Sequence, residues 1–176
     1  MYRRQYQGHT FTFREDGYFN MTKAAQYFGK ELKEFWKLNE TKEYMCALVE
    51  VLFPNGWKDT DLNADEKHSV VLAINEFEKG QHSFITHKET RALKALLAEA
   101  TKGHGGGTWA HPKLAVFFAR WLDVRFAVWC DLMVDEILRG RVEVQPVAAP
   151  LTPDRTVEDI VKALLPEVRR GVSFIP

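Results

Sequence analysis

Apolar and polar residues alternate only near the front of the chain. Phe11 and Phe13 are interleaved with Thr10, Thr12 and Arg14, the period of a half-buried strand. Asp16-Gly17 is a hairpin turn signal, and Tyr18-Phe19 begins the return strand. Past this hairpin the apolar period lengthens to that of helices. Asn20 or Thr22 caps a short helix reaching about Phe28, with Ala24, Ala25, Tyr27 and Phe28 on or near its inner face, and Gly29 ends it. A second helix is predicted from Lys30 to about Asn39, burying Leu32, Phe35, Trp36 and Leu38. Thr41 caps a third, with Tyr44, Met45, Leu48, Val51 and Leu52 inward.

Pro54, Asn55 and Gly56 break this pattern. Asn63 with Glu66 three residues on has the form of a capping box, and opens a helix of Val70, Val71, Ile74 and Phe77 that ends at Gly80. Thr86 with Glu89 opens another, with Leu93, Leu96 and Leu97 inside and Gly103 after it. Gly105 to Leu122 then reads GGGTWAHPKLAVFFARWL. The glycines mark a tight turn, and Pro112 suits a first helical turn, with His111 just before it. Leu114, Phe117, Phe118, Trp121 and Leu122 form one buried stripe. Asp123 caps a last long helix, Val124 to about Leu138, whose apolar side is Phe126, Trp129, Leu132, Met133 and Ile137, and Gly140 stops it.

After Arg141 the stretch VEVQPVAAPLTP carries three prolines and reads as a linker. Thr156 with Asp159 opens a short helix of Ile160, Val161, Leu164 and Leu165. The expected architecture is α+β and mostly helical: an N-terminal β-hairpin, a helix-turn-helix-like pair, a glycine-rich loop and a C-terminal helix pair. One domain spans residues 1–140, followed by the linker and short helix of residues 141–176. That helix, marginal alone in water, is expected either to dock or to self-associate, the latter making a homodimer.

Composition narrows the class. The chain has 176 residues, 45% of them hydrophobic, enough for a core. No apolar run approaches a membrane span, and the two arginines of MYRRQYQGHTF are not followed by the apolar stretch of a leader. Cys46 and Cys130 sit in helical apolar patterns, as buried free thiols of a reducing compartment do. A cytoplasmic protein without a membrane partner is expected. Net charge is zero, with 24 basic and 24 acidic residues, which weighs against a strongly non-specific nucleic-acid binder. The charge is unevenly spread, with a basic excess from Met1 to Met45 and an acidic excess from Cys46 to Ala100.

Candidate chemistry is sparse. Lys30, Lys33 and Lys37 share one face of the predicted second helix, opposite Leu32, Phe35 and Trp36. On spacing alone this is a solvated face, alternating with Glu31 and Glu34; the alternative is a set of phosphate contacts, with Asn39 reaching a base edge. The loop from Lys102 to Gly107 lacks the Gly-Lys-Ser/Thr of a nucleotide-binding loop. It reads as a flexible connector or as a wing tip that brings Lys102 and His104 close to a DNA backbone. His82, His87 and His111 lack the spacing of a zinc site, so no metal or cofactor is expected. No serine lies in a nucleophile motif, so no enzymatic activity is expected.

DGYFNMTKAAQYFGK (Asp16 to Lys30), Phe35-Trp36-Lys37-Leu38 with Thr41, Thr108-Trp109-Ala110-His111-Pro112 with Leu114-Ala115, Trp121-Leu122 and Phe126-Ala127 together resemble the KilA-N domain of phage and prophage proteins. That family is similar to the fungal APSES transcription-factor domains. The resemblance implies sequence-specific double-stranded DNA binding in a phage or prophage transcriptional regulator within the bacterial host cell. It implies a recognition helix over Lys30–Asn39 and a wing centred on Gly103–Gly107. Phosphate contacts would come from Lys23, Lys30, Lys33, Lys37, Lys42 and Lys102. Residues 54–86 exceed what the resemblance accounts for, and the acidic helix Asn63–Lys79 reads as an insertion. The insertion and the neutral charge leave a second reading, a protein-binding module such as an antirepressor or an inhibitor of a host or phage protein.

Overall fold

Phe11 and Phe13 alternate with exposed or half-buried neighbours as their spacing requires, and both are fully enclosed. A computed structural model describes residues 1–57, 59–103 and 106–140. In chain order the elements are β1 (Tyr2–Tyr6), β2 (His9–Phe13), β3 (Phe19–Asn20), α1 (Met21–Tyr27), α2 (Leu32–Lys37), α3 (Asn39–Leu52) and α4 (Ala64–Glu78). A single 3-10 turn (His82–Phe84) leads to α5 (His87–Leu97), β4 (Ala98–Thr101), β5 (Gly107–Ala110), α6 (Pro112–Leu122) and α7 (Val124–Leu138). The fold is α+β and mostly helical, as the periodicity implies. The strands lie in the order β1-β2-β3-β5-β4, every neighbouring pair antiparallel.

The β2–β3 hairpin turns at Asp16-Gly17, where the Arg14 N–H donates to the Tyr18 carbonyl at 2.8 Å. Gly17 has φ +81°, and a Cβ there would stand 2.9 Å from Pro112 Cγ and 3.2 Å from Leu138 Cδ2. The turn therefore needs glycine twice over, for its backbone angle and for its packing against the start of α6 and the end of α7. β1 is an element that periodicity does not reveal. It joins β2 through Gln7 (φ +48°) and Gly8 (φ +79°), a two-residue loop with both central residues at positive φ.

The core lies where the front of the sheet meets the last two helices. Around the fully buried ring of Phe126 stand Tyr6, Phe11, Phe28 and Trp129, with centroids 5.1, 4.8, 4.9 and 5.4 Å away. Phe35 of α2 is also fully buried, edge-on to Phe118 at 5.0 Å and 5.6 Å from Trp121. This contact docks α2 on α6. Burying a phenylalanine side chain contributes about 1.5–3 kcal/mol.

Capping fixes most helix starts. Asn20, Asn63, Thr86, His111 and Asp123 each accept a backbone N–H at a helix N-terminus, and Asn63/Glu66 and Thr86/Glu89 are complete capping boxes.

Three expectations need correction. The predicted Lys30–Asn39 helix is only Leu32–Lys37, because Leu38 is extended (φ −65°, ψ 135°) and separates α2 from α3. Asn39 is thus the first residue of α3. The helix opened by Thr86 stops at Leu97 rather than running toward Gly103, because Ala98–Thr101 pairs with β5 as a strand. Leu38, Val51 and Leu132, expected inward, are exposed. On α7 the inner positions include Cys130 and Val134 instead.

Candidate nucleic-acid interface

The glycine-rich loop is the tip of a hairpin. β4 and β5 pair from Ala98↔Ala110 to Thr101↔Gly107. At the tip Gly103 has φ +99°, and the Gly106 N–H donates to the Gly103 carbonyl at 2.8 Å. A Cβ on Gly106 would lie 2.6 Å from the Thr101 carbonyl oxygen, so only glycine fits. Lys102 is exposed at this tip. His104 lies outside the described residues, as do the linker and the predicted helix of residues 156–165.

The hairpin is fastened to the start of α1. The Thr108 N–H donates to Thr22 Oγ1 at 2.9 Å, and Trp109 Nε1 donates to Thr101 Oγ1 at 3.0 Å across the hairpin itself. From the outer strand, Glu99 accepts a hydrogen bond from Arg14 at 2.5 Å, while Arg14 also holds Asp16 at 2.7 Å and lies 4.7 Å from the Tyr18 ring. The Glu99 bond, ahead of the Asp16 charge, raises the pKa of the Arg14 guanidinium. The β4–β5 hairpin, the β2–β3 turn and α1 are thereby held together through specific polar contacts.

The lysines singled out by sequence have different surroundings. Lys23 is exposed on α1. Lys30 precedes α2, where its ammonium donates to the carbonyls of Trp121 and Leu122 and lies 4.7 Å from the Trp121 ring. It satisfies the C-terminal end of α6, where a cation is favoured. Lys42 is half-buried on α3 and donates to the Ile85 carbonyl at 3.0 Å. Lys33 pairs with Glu31 at 2.5 Å and Lys37 with Glu34 at 2.7 Å, both on the open surface. The hydrogen bond to Glu31, reinforced by its charge, raises the pKa of Lys33. Asn39 is exposed in the first turn of α3.

Lys33, Lys37 and Lys42 nonetheless meet in one place. With Trp36 they line a groove of about 540 Å³ whose other wall is His87, Thr90, Arg91 and Lys94 of α5. Arg91 and Lys94 were not among the candidate residues. Lys88, Arg91 and Lys94 recur every three residues, a spacing that keeps them near one helix face. This spacing is visible in the sequence, but it lies within a stretch whose acidic excess masks it.

His111 has a structural place. Its Nδ1 accepts the Lys113 N–H at 3.3 Å as the cap of α6. Burial, then the Lys113 charge, lowers its pKa and favours the neutral ring that capping needs. Both cysteines are free and buried, and burial raises both thiol pKa values, that of Cys46 to about 12. Among the described residues no group of three or more His, Cys, Asp or Glu side chains is placed to hold a metal ion. No helix among them is long and apolar enough to cross a membrane.

The family model of the KilA-N domain matches residues 3–140. No curated protein and no solved structure matches the chain significantly. With most of its length matched, the chain belongs to the KilA-N family, a family of DNA-binding domains.

Proposed function

We propose that this KilA-N domain binds duplex DNA in a sequence-specific way, as a cytoplasmic regulator of phage or prophage genes in a bacterial host. The observation that carries the reading is family membership over residues 3–140, which takes in every described strand and helix from β2 to α7. It is supported by a glycine-tipped hairpin bearing exposed Lys102, bonded to the α1 start beside exposed Lys23. Lys33 and Lys37 of α2 add two exposed cations. Lys30 and Lys42 donate to main-chain carbonyls, so this reading draws its phosphate contacts first from the other lysines. Asn39 keeps its proposed base contact, now from the first turn of α3.

Binding is tested with the regulatory DNA of the protein's own phage across a salt series. Each phosphate neutralised releases counterion, giving a slope of log affinity against log salt of about −0.9 per contact. Four engaged lysines (Lys23, Lys33, Lys37 and Lys102) predict a slope of about −3.6. A flat dependence, or no binding at low salt, removes the DNA reading. One observation would then favour a protein partner: α4 carries Asp65, Glu66, Glu76 and Glu78, an acidic surface that repels phosphate and suits a basic protein.

A further inference from the structure

The groove between α2, α3 and α5 gathers five cations, Lys33, Lys37, Lys42, Arg91 and Lys94, and only Lys33 and Lys37 among them have carboxylate partners, both on the open surface outside the lining. No carboxylate lines it. The one acidic residue of α5, Glu89, is nearly buried and turned to the helix start, where it accepts the Thr86 N–H at 2.7 Å. Lys94 is half-buried, with its ammonium 4.9 Å from the Trp36 ring. Burial, and then the neighbouring Arg91 charge, both press it toward its neutral form. Trp36 lines the same groove, and its indole N–H is buried without an acceptor. Crowded cations are unfavourable in the free protein, and an oxyanion in the groove relieves them.

We propose that this groove is a phosphate-binding site, in which Arg91 and Lys94 of α5 face Lys33 and Lys37 of α2 across the bound oxyanion beside Trp36. Arg91 supplies a planar fork matched to phosphate oxygens, and the lysines supply point charges. The ion pairs of Lys33 and Lys37 are on open surface, so exchanging Glu31 and Glu34 for a phosphate requires little. The phosphate belongs either to a duplex backbone or to a free phosphate ester. The path of the chain favours the duplex, and only this choice of source rests on the DNA reading. α5 passes without a loop into β4, the outer strand of the wing, and Arg91 stands about 10 Å along the helix from Ala98 at 1.5 Å per residue. A backbone followed by the wing therefore has a second grip on the same continuous element.

Indole N–H resonances of the full-length ¹⁵N-labelled protein test this. Trp36→Phe and Trp109→Phe assign the two signals that matter, one in the groove and one in the wing hairpin. The probes are inorganic pyrophosphate, a short DNA duplex, and sodium chloride at matched ionic strength. Both phosphate probes are expected to shift Trp36 and chloride to leave it in place, while only the duplex shifts Trp109. Arg91→Gln with Lys94→Gln should weaken pyrophosphate binding about tenfold or more, since two charge-assisted contacts are lost. Undisturbed dispersion of the other indole signals shows that this variant is folded. If pyrophosphate shifts Trp36 and the duplex shifts neither signal, the groove stands as a site for a free phosphate ester and the DNA reading fails. If the duplex shifts Trp109 while neither phosphate probe shifts Trp36, the groove proposal is overturned and DNA binding stands. An equal shift with chloride, or unchanged pyrophosphate affinity in the double variant, also overturns it.

Discussion

Gly107 is where the β4–β5 hairpin, β3 and α1 converge, and Gly107→Ala should be one of the more damaging single-methyl changes in the domain. Its φ of +146° is unfavourable for any residue with a Cβ, and that Cβ would lie 2.9 Å from Asn20 Oδ1 and 3.1 Å from Thr22 Cβ. Neither neighbour withdraws freely. Asn20 Oδ1 caps α1 by accepting the Lys23 N–H at 3.1 Å, and Thr22 Oγ1 accepts the Thr108 N–H at 2.9 Å. The backbone conformation contributes about 1–2 kcal/mol of loss, a displaced cap about 1, and the residual overlap the remainder of an expected 2–4 kcal/mol. At roughly 3–4 °C per kcal/mol for a domain of this length, thermal unfolding should fall by about 6–16 °C. Gly8→Ala isolates the contact contribution, because Gly8 has φ +79° with nothing within 4 Å of a built Cβ. It should lose only the backbone share, about 1–2 kcal/mol. In an Asn20→Ala background the Gly107→Ala loss should shrink, since the closest neighbour is gone. Equal losses at the two glycines, or strict additivity with Asn20→Ala, would refute the packing account of this junction.

Two further outcomes are expected. His111 has its pKa lowered by burial and by Lys113, so the unfolded chain takes up the proton first; the cap's stability is present above the ordinary histidine value of about 6.5 and is lost as pH falls through the folded-state value. Denaturant midpoints from about pH 7 to about pH 5 should decline less in His111→Asn, which keeps a capping acceptor, and an identical decline in both proteins would acquit His111. Lys30→Met should lower the melting temperature by a few degrees at most, about 0.5–1 kcal/mol for a lost cation at a helix C-terminus, and leave the salt slope of DNA binding unchanged. Lys33→Glu with Lys37→Glu should do the reverse, and a larger effect of Lys30→Met on DNA affinity than on stability would return that residue to the interface.

Sequence made the helix starts legible because capping is local. Asn63 with Glu66 and Thr86 with Glu89 need only their own four residues, and His111-Pro112 and Asp123 mark the last two helices in the same way. Glycine ends were equally local, with Gly29, Gly80 and Gly140 all at positive φ. What was hidden depends on partners distant in sequence. β1 has Arg4 among its half-buried positions between Tyr2 and Tyr6, so its period carries no apolar signal until it pairs with β2. Ala98-Glu99-Ala100-Thr101 suits a helix locally, and becomes a strand because β5 is there to pair with it. The break at Leu38 has no glycine or proline to announce it. The bonds of Lys30 are hidden in the same way, because nothing near it in sequence predicts carbonyls contributed by Trp121 and Leu122.

The same distinction explains why a net charge of zero says little about the surface a polyanion would meet. Charge counts treat every ionised group as equally available, whereas the fold assigns them unequal work. Glu66 and Glu89 face backbone N–H groups at helix starts and neutralise no lysine there. Lys30 and Lys42 direct their ammonium groups to backbone carbonyls. Lys33 and Lys37 hold exposed carboxylates that yield readily, because pairs in water are weak and screened. Glu76 of α4 holds Lys79, so after these assignments Asp65 and Glu78 of α4 and the cations of α5 remain on consecutive helices that pack together, and opposite signs are segregated rather than averaged. A phosphate approaching α5 and the wing meets Lys88, Arg91, Lys94 and Lys102 in chain order along one helix and the hairpin that follows it. Attraction to such a stripe depends on its local field within a Debye length of about 8–10 Å, not on carboxylates elsewhere in the molecule. Neutral composition is therefore compatible with a phosphate-binding face, provided that the face is built from cations whose neighbours have other partners.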